Sequence, residues 1–262
     1  MPKNKKRKKP TLAERADKYD LYQRSVQEPS CEVEFFEKAY HAVNRRKPKA
    51  LREDFCGTFA VCCDWVKKRG RTAIGVDLDP EPLEWGREHN LAKLPKSARQ
   101  RVVIRQRDVR TVADDKADVL AAQNFSYWIF KTRTALREYF EIARQNLKED
   151  GILVLDLMGG GECYEEGRQD TRKLDGGFKY LWELYSFDPM SHDAEHHIHF
   201  KFKDGSKLKK AFTYAWRFWT IPEIRELLAE AGFTRSTVYW EDEDEDGEGT
   251  GEWKPQTEGT CD

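Results

Sequence analysis

The sequence predicts an α/β protein: a doubly wound, mostly parallel sheet with an antiparallel insertion after its fifth strand. Three observations lead there. Five short apolar runs alternate with helical segments within about a hundred residues. The second and fourth runs, "TAIGVD" and "ADVLAA", are almost continuously apolar, as buried parallel strands require. The pattern then changes to long apolar–polar alternation in "FKYLWELYSFDP" and "HHIHFKFKDGSKLKKAFTYAWRFWT", the period of half-buried antiparallel strands.

Residues 11–47 read as helical, with Val33, Phe36, Tyr40 and Val43 at helical spacing. Pro48 closes that stretch, and a strand runs through Ala50–Asp54. "AVCCDWVKKRG" reads as a helix stopped by Gly70, and Thr72–Asp77 as the second strand. "PEPLEWGREHNLAKL" reads as a helix opened by Pro80. "RVVIRQRD" and "ADVLAAQN" supply strands three and four. "TRTALREYFEIARQNL" is amphipathic, with Leu136, Phe140, Ala143 and Leu147 on one side, and "GILVLDLMG" is strand five.

In the insertion, "KDGS" signals a turn between two strands. "TIPEIRELLAEAGF" returns to helix, with Thr220 as N-cap and Gly232 as stop. "TRSTVYW" is one more strand, and "TGEWKPQ" pairs with it across an acidic loop. The expected organisation is a basic tail over 1–10, a helical cap over 11–48 and a main domain over 49–262. The main domain carries a lid insertion at about 176–219 and the acidic loop at 241–248.

With 262 residues the chain accommodates one large α/β domain, or one domain with an insertion. The net charge of −1 hides a strongly basic "KNKKRKK" and a strongly acidic "EDEDEDGE". Such blocks repel themselves and read as solvated tails or loops. The functional alternative for the basic block is a nuclear address or an RNA contact. No apolar run reaches the length of a membrane span, and no signal peptide opens the chain. Six cysteines without a C-x-x-C pair indicate reduced thiols and a cytoplasmic setting, with the nucleus as the alternative. His192, His196, His197 and His199 crowd together at spacings that match no zinc motif, so no metal is expected.

In a doubly wound sheet, ligands bind beyond the carboxyl ends of the strands. After the first strand stand Glu53, Cys56, Gly57 and Thr58. Asp77 and Leu78 end the second, about twenty residues beyond Gly57, the spacing at which a carboxylate reaches a ribose diol. Asp79 competes for that role or caps the next helix. Asp108 and Val109 follow the third strand: an acid to accept amino protons of adenine beside an apolar surface for the ring, or a simple turn residue. "NFSYW", with Asn124 and Tyr127, follows the fourth.

Strand–"EDFCGTF"–helix, "GVDLDPEPLEWG", "RDV" and "LKEDGILVLDL" together resemble the class I S-adenosylmethionine-dependent methyltransferases, over roughly residues 50–160. A weaker echo lies in "YAWRFWTIPEIRELLAEAGF". The resemblance implies a Rossmann-like fold and S-adenosyl-L-methionine as cofactor. The family's first loop reads acid-x-Gly-x-Gly-x-Gly; here Phe55 and Phe59 replace the outer glycines. That departure argues against a dinucleotide, whose pyrophosphate needs an open glycine backbone. The resemblance further implies that Gly57 approaches the adenosyl-methionine moiety. Asp77 then holds ribose, Asp108 and Val109 meet adenine, and Glu53 holds the methionyl amino group directly or through water. "DKYDLYQRSVQEP" resembles the segment that closes over the cofactor in related enzymes, which nominates Tyr22 and Arg24.

The expected acceptor is a small molecule, an amine being one option. A neutral amine needs no strong base, whereas a hydroxyl does. "NFSY" only loosely resembles the Asn-Pro-Pro-Tyr element of amino-methylating enzymes, and an ordinary loop lining the cofactor is the preferred reading. Trp182, Tyr185, Tyr214, Trp216 and Trp219 either form an acceptor pocket suited to a cation or pack as a lid. Arg217 receives an anionic group or pairs with an acid. With Tyr127, the acceptor-side candidates are Trp182, Tyr214 and Arg217. The alternatives are an RNA or protein methyltransferase anchored by the basic tail, and a non-catalytic binding protein on the same fold. The sequence specifies no oligomeric state.

Overall fold

The structure, a computed structural model, describes residues 9–243 and 249–257. Most of the basic block and Asp244–Glu248 of the acidic run lie outside the described residues. In chain order the elements are α1 (Lys18–Val26), α2 (Pro29–Asn44), β1 (Ala50–Asp54), α3 (Ala60–Trp65), β2 (Thr72–Asp77), α4 (Pro80–His89), α5 (Lys96–Arg99), β3 (Val102–Gln106), β4 (Ala117–Ala122), α6 (Arg133–Asn146) and β5 (Leu147–Leu155). These are followed by β6 (Gln169–Leu174), β7 (Phe178–Phe187), β8 (Asp193–Phe202), β9 (Lys207–Arg217), α7 (Ile221–Glu230), β10 (Val238–Glu243) and β11 (Gly249–Gln256). Two compact units result. One comprises Glu28–Cys163 with Arg217–Asp262; the other, Met1–Gln27 with Tyr164–Trp216.

The larger unit holds a five-stranded parallel sheet in the order β3-β2-β1-β4-β5. The order reverses between β1 and β4, so the crevice for a ligand lies beyond the carboxyl ends of those two strands. Every residue of β4 is buried, as expected at the centre of a sheet covered on both faces. Val33, Phe36 and Tyr40 of α2 enter a core with Leu51, Phe59, Trp65, Val119 and Val154. Tyr139 and Phe140 of α6 are fully enclosed. Thr132 caps α6 by accepting from Ala135 N at 3.2 Å.

The amino-terminal edge of the sheet is fastened by Asp118. It is a buried carboxylate that accepts from Lys49 N and Ala50 N at 2.8 Å and from Lys148 Nζ at 2.9 Å. Tyr40 OH also donates to it at 3.3 Å. Burial opposes ionisation of this group, but these donors outweigh it and hold its pKa below the ordinary value.

In the smaller unit, β6-β7-β8-β9 form a separate sheet after strand five. Phe178, Tyr180, Ile198 and Phe200 share one face and bury Leu21 of α1. Ser206 closes the β8–β9 turn, its carbonyl accepting from Phe202 N at 2.9 Å.

Three features differ from the sequence reading. The helical stretch over 11–47 breaks before Pro29, because proline disfavours a helical residue ahead of it; Glu28 has φ −126° and ψ 72°. β6 has no counterpart in the sequence reading: "QDTRKL" is polar and mostly exposed, so it carries no alternating signal. The segment after Trp65 turns rather than continuing as helix to Gly70. Beyond α7, β10 pairs with β11 in antiparallel register.

Candidate active site

The loop leaving β1 has the backbone of a glycine loop without its outer glycines. Phe55 has φ 56°, Gly57 φ 49° and Phe59 φ 46°. All three lie in the left-handed region, which costs a non-glycine residue about 1–2 kcal/mol. Ring burial offsets that cost. Phe59 is fully enclosed, and Phe55 packs 6.0 Å from Phe130 and 5.8 Å from Tyr139, centroid to centroid. Cys56, which is buried, donates its N–H to Val76 O at 3.1 Å.

Gly57 N donates to Asp77 Oδ2 at 2.7 Å, and Asp79 N to Asp77 Oδ1 at 2.9 Å. Burial lifts the Asp77 pKa, while these N–H groups oppose the lift. Asp79 caps α4, accepting from Glu81 N at 3.0 Å. Thr58 is buried, and its carbonyl accepts from Asn90 Nδ2 at 2.9 Å. Leu78 is mostly exposed. Asp108 bonds Arg110 through its backbone N and its guanidinium, both at 2.8 Å, and this pair holds its pKa below the ordinary value. Val109 is buried, and its carbonyl accepts from Arg52 Nη2 at 2.8 Å.

Several site-shaping residues were not singled out by the sequence. Arg52, enclosed in β1, also bonds Asp54 at 2.6 Å, so it ties the end of β1 to the turn carrying Asp108. Tyr139 OH donates to the other Asp54 oxygen at 3.1 Å. Asp156, just past β5, accepts from Asn124 N at 2.6 Å and Phe125 N at 2.9 Å. Those two residues have φ 57° and 53°, so Asp156 fixes a left-handed loop at the switch point. Tyr127 is buried, and its hydroxyl donates to Asp156 O at 2.8 Å. The rule that strand ends carry ligand groups, applied to β5, would have found Asp156.

Carboxyl groups accumulate here. Glu53 is enclosed, accepts from Cys62 N at 3.0 Å and has its pKa pushed up to about 8. Burial is the main cause, with repulsion from Glu32 and Asp77 adding to it. Glu32, in the first turn of α2, is pushed up to about 7 by burial and by the Asp156 charge. Burial likewise takes Asp156 to about 6. These acids act on one another: Asp156 raises Glu32, and Glu32 and Asp77 raise Glu53.

Arg217 Nη2 pairs with Glu223 at 3.0 Å, and its guanidinium lies 3.9 Å from the Trp219 ring centroid. Of its two expected roles, the geometry displays pairing with an acid. In the smaller unit, Tyr22 packs on Phe212 at 4.9 Å, and Arg24 bonds Asp20 and the Asp175 carbonyl. Trp182, Tyr214 and Trp216 cluster with centroids 4.4–6.0 Å apart.

Glu183, His197 and His199 each bring a ligand-type atom within 4.8 Å of the others. Lys210 N donates to His199 Nδ1 at 3.0 Å, so in the neutral ring Nε2 carries the proton and points it at Glu183, 2.9 Å away. The lone pair a metal would need is then engaged, and the cluster reads as a hydrogen-bond network.

Residues 54–155 match the family described as "Methyltransferase domain". No curated protein sequence is significantly similar to the chain. DesVI of Streptomyces venezuelae is similar in structure, with TM-score 0.67 and 18% identity over 87% of this chain and 92% of that one. CalS10, an amino pentose methyltransferase from Micromonospora echinaspora solved with S-adenosylmethionine bound, gives TM-score 0.66 and 18% identity over 86% and 92%. The sugar N-methyltransferase KedS8 from Streptoalloteichus gives 0.62 and 17% over 85% of each chain. At these identities the likeness is one of fold. The strand order agrees with that fold, and residues 54–155 within it carry the methyltransferase-domain match.

Proposed function

We propose that the protein methylates the amino group of a small molecule, with S-adenosylmethionine as donor. The observation that carries the cofactor assignment is the gathering of Glu32, Glu53, Asp77 and Asp156 around the carboxyl ends of β1, β2 and β5. The ionised carboxylates among them repel the pyrophosphate of a dinucleotide and attract a ligand bearing a sulfonium and an ammonium. The loop agrees: Phe59 occupies the position where a phosphate-binding loop keeps its last glycine. Support for an amine acceptor comes from KedS8 and CalS10, a sugar N-methyltransferase and an amino pentose methyltransferase.

In this reading Asp77 accepts hydrogen bonds from the ribose hydroxyls. Gly57 lets the backbone come close, Asp108 and Val109 bound the adenine, and Cys56, Thr58, Leu78 and Asn124 complete the lining. The sequence alone nominates Tyr22 and Arg24 on the cofactor side and Trp182, Tyr214, Tyr127 and Arg217 on the acceptor side. The cofactor supplies an electrophilic methyl group; the protein's part is alignment and exclusion of water. An amine acceptor that is protonated in solution must shed a proton before attack, and a carboxyl titrating near neutrality, such as Asp156, can take it.

The test pairs calorimetry with a labelled-methyl assay. Binding of S-adenosylmethionine and its demethylated product, little binding of NAD, and label transfer to amino sugars but not to their hydroxyl analogues are expected. Tight NAD binding without S-adenosylmethionine binding would overturn the cofactor; transfer only to hydroxyls would overturn the acceptor.

A further inference from the structure

We propose that Glu32 is a cofactor-contacting residue whose carboxylate receives the methionyl ammonium group. This rests on S-adenosylmethionine being the cofactor.

The placement follows from the direction of α2. Its last turn lies at the amino-terminal edge of the sheet: Asn44 Nδ2 donates to Asp150 O at 2.9 Å, and Tyr40 OH reaches Asp118, at the start of β4. The helix therefore runs antiparallel to the strands. From Tyr40 back to Glu32 it climbs about 12 Å at its usual rise. From Asp118 to Ala122 the strand climbs about 13 Å. Glu32 is thus level with the carboxyl end of β4, at the switch point. Its interactions agree: its carboxyl is repelled by Asp156, past β5, and itself repels Glu53, near the end of β1.

A second observation points to a ligand. Glu32 Oε2 is sealed from solvent and has no hydrogen-bond partner among the described residues. A buried carboxylate oxygen left in that state is costly unless a donor arrives. An alkylammonium group supplies both the donors and the positive charge. Glu53 is less suited to direct contact, because its Oε2 already accepts from the first turn of α3 and its side chain is enclosed behind the loop.

The experiment compares two probes by calorimetry. S-adenosylhomocysteine carries the ammonium; 5′-methylthioadenosine lacks the whole amino-acid part. Glu32→Gln keeps the shape and removes the charge. It is expected to weaken S-adenosylhomocysteine binding about 10- to 100-fold, the worth of one charge-assisted hydrogen bond, and to leave 5′-methylthioadenosine binding unchanged. Glu34→Gln, which removes an exposed partner of Lys38 on the same helix, should change neither. Equal loss with both probes would mean that Glu32 only supports the fold, and no loss with either would mean that it does not meet the ligand; each result overturns the proposal. If Glu32→Gln does not fold, Glu32→Asp replaces it. The shorter acid should selectively weaken S-adenosylhomocysteine, and an unchanged or equal response to the two probes overturns the proposal there too. Wild-type protein that binds neither probe refutes the cofactor itself, a failure distinct from that of Glu32.

Discussion

The backbone N–H of Gly57 donates to Asp77 Oδ2 at 2.7 Å, latching the loop after β1 to the end of β2. Asp77→Ala therefore removes the proposed ribose acceptor and the latch together. It should weaken cofactor binding roughly 10- to 1000-fold, about 1.4–4 kcal/mol, in titration calorimetry. Asp77→Asn should lose less, because its amide keeps one acceptor. Asp79→Ala is the control: it removes the cap of α4, costs about 1 kcal/mol of stability and leaves affinity nearly unchanged. The reverse ranking of Asp77 and Asp79 would reassign the ribose contact.

Gly86 of α4 faces the same loop at close range. A Cβ there would stand 2.5 Å from Thr58 O and 2.5 Å from Phe59 Cε1. Backbone cannot yield as a flexible side chain does, so Gly86→Ala should cost about 1–3 kcal/mol and reduce cofactor affinity. Gly75→Ala meets Cys56 Sγ and Ile104 Cδ1 at 2.9 Å, both side-chain atoms, and should cost less. Urea melts of the two variants give the comparison; equal stabilities would contradict the difference in surroundings.

The alternation of apolar runs and helices made the parallel sheet readable, because β1, β2 and β4 are short and largely buried, and helices separate β1 from β2, β2 from β3 and β4 from β5. The strand-end placement of Asp77 and Asp108 was accessible by the same logic. Glu32 was not. It sits in a helix whose sequence reports a buried stripe at Val33, Phe36 and Tyr40, and nothing local shows which end of α2 meets the strand ends. Asp118 fixes that direction from the other side of the sheet, a long-range relation that periodicity does not carry. Arg52 was hidden differently: a strand arginine reads as exposed until Asp54 and the Val109 carbonyl are seen to satisfy it.

Stability of the ligand-free protein should fall as pH rises from about 4.5 to about 8. In that window the enclosed Glu53 retains a proton that its counterpart in the unfolded chain has released. The folded state binds the extra proton, so raising the pH favours unfolding. Glu32 contributes with the same sign up to about 7. Thermal melts across the window should show a declining midpoint, with a shallower decline in Glu53→Gln. An equally steep decline in that variant would assign the effect to other groups.

Removal of Met1–Pro10 should leave cofactor affinity within about twofold, since the segment is basic and has no apolar anchor. Calorimetry on the shortened chain decides this. A large loss would implicate the tail in the cofactor site, and lost transfer to RNA alone would favour the RNA alternative.

Phe55 and Phe59 have a consequence for how a ligand is received. A loop of three glycines is loose when empty and must be ordered by whatever it binds, at the expense of affinity. Here two aromatic anchors order it beforehand, and the Phe55 ring leans on Phe130 and on Tyr139, whose helix lies outside the crevice. The pocket floor is pre-set. Association should therefore be limited by the admission of the nucleoside rather than by rearrangement of the floor. A cavity opened at Tyr139 would soften this floor without touching the ligand, showing itself first as faster release.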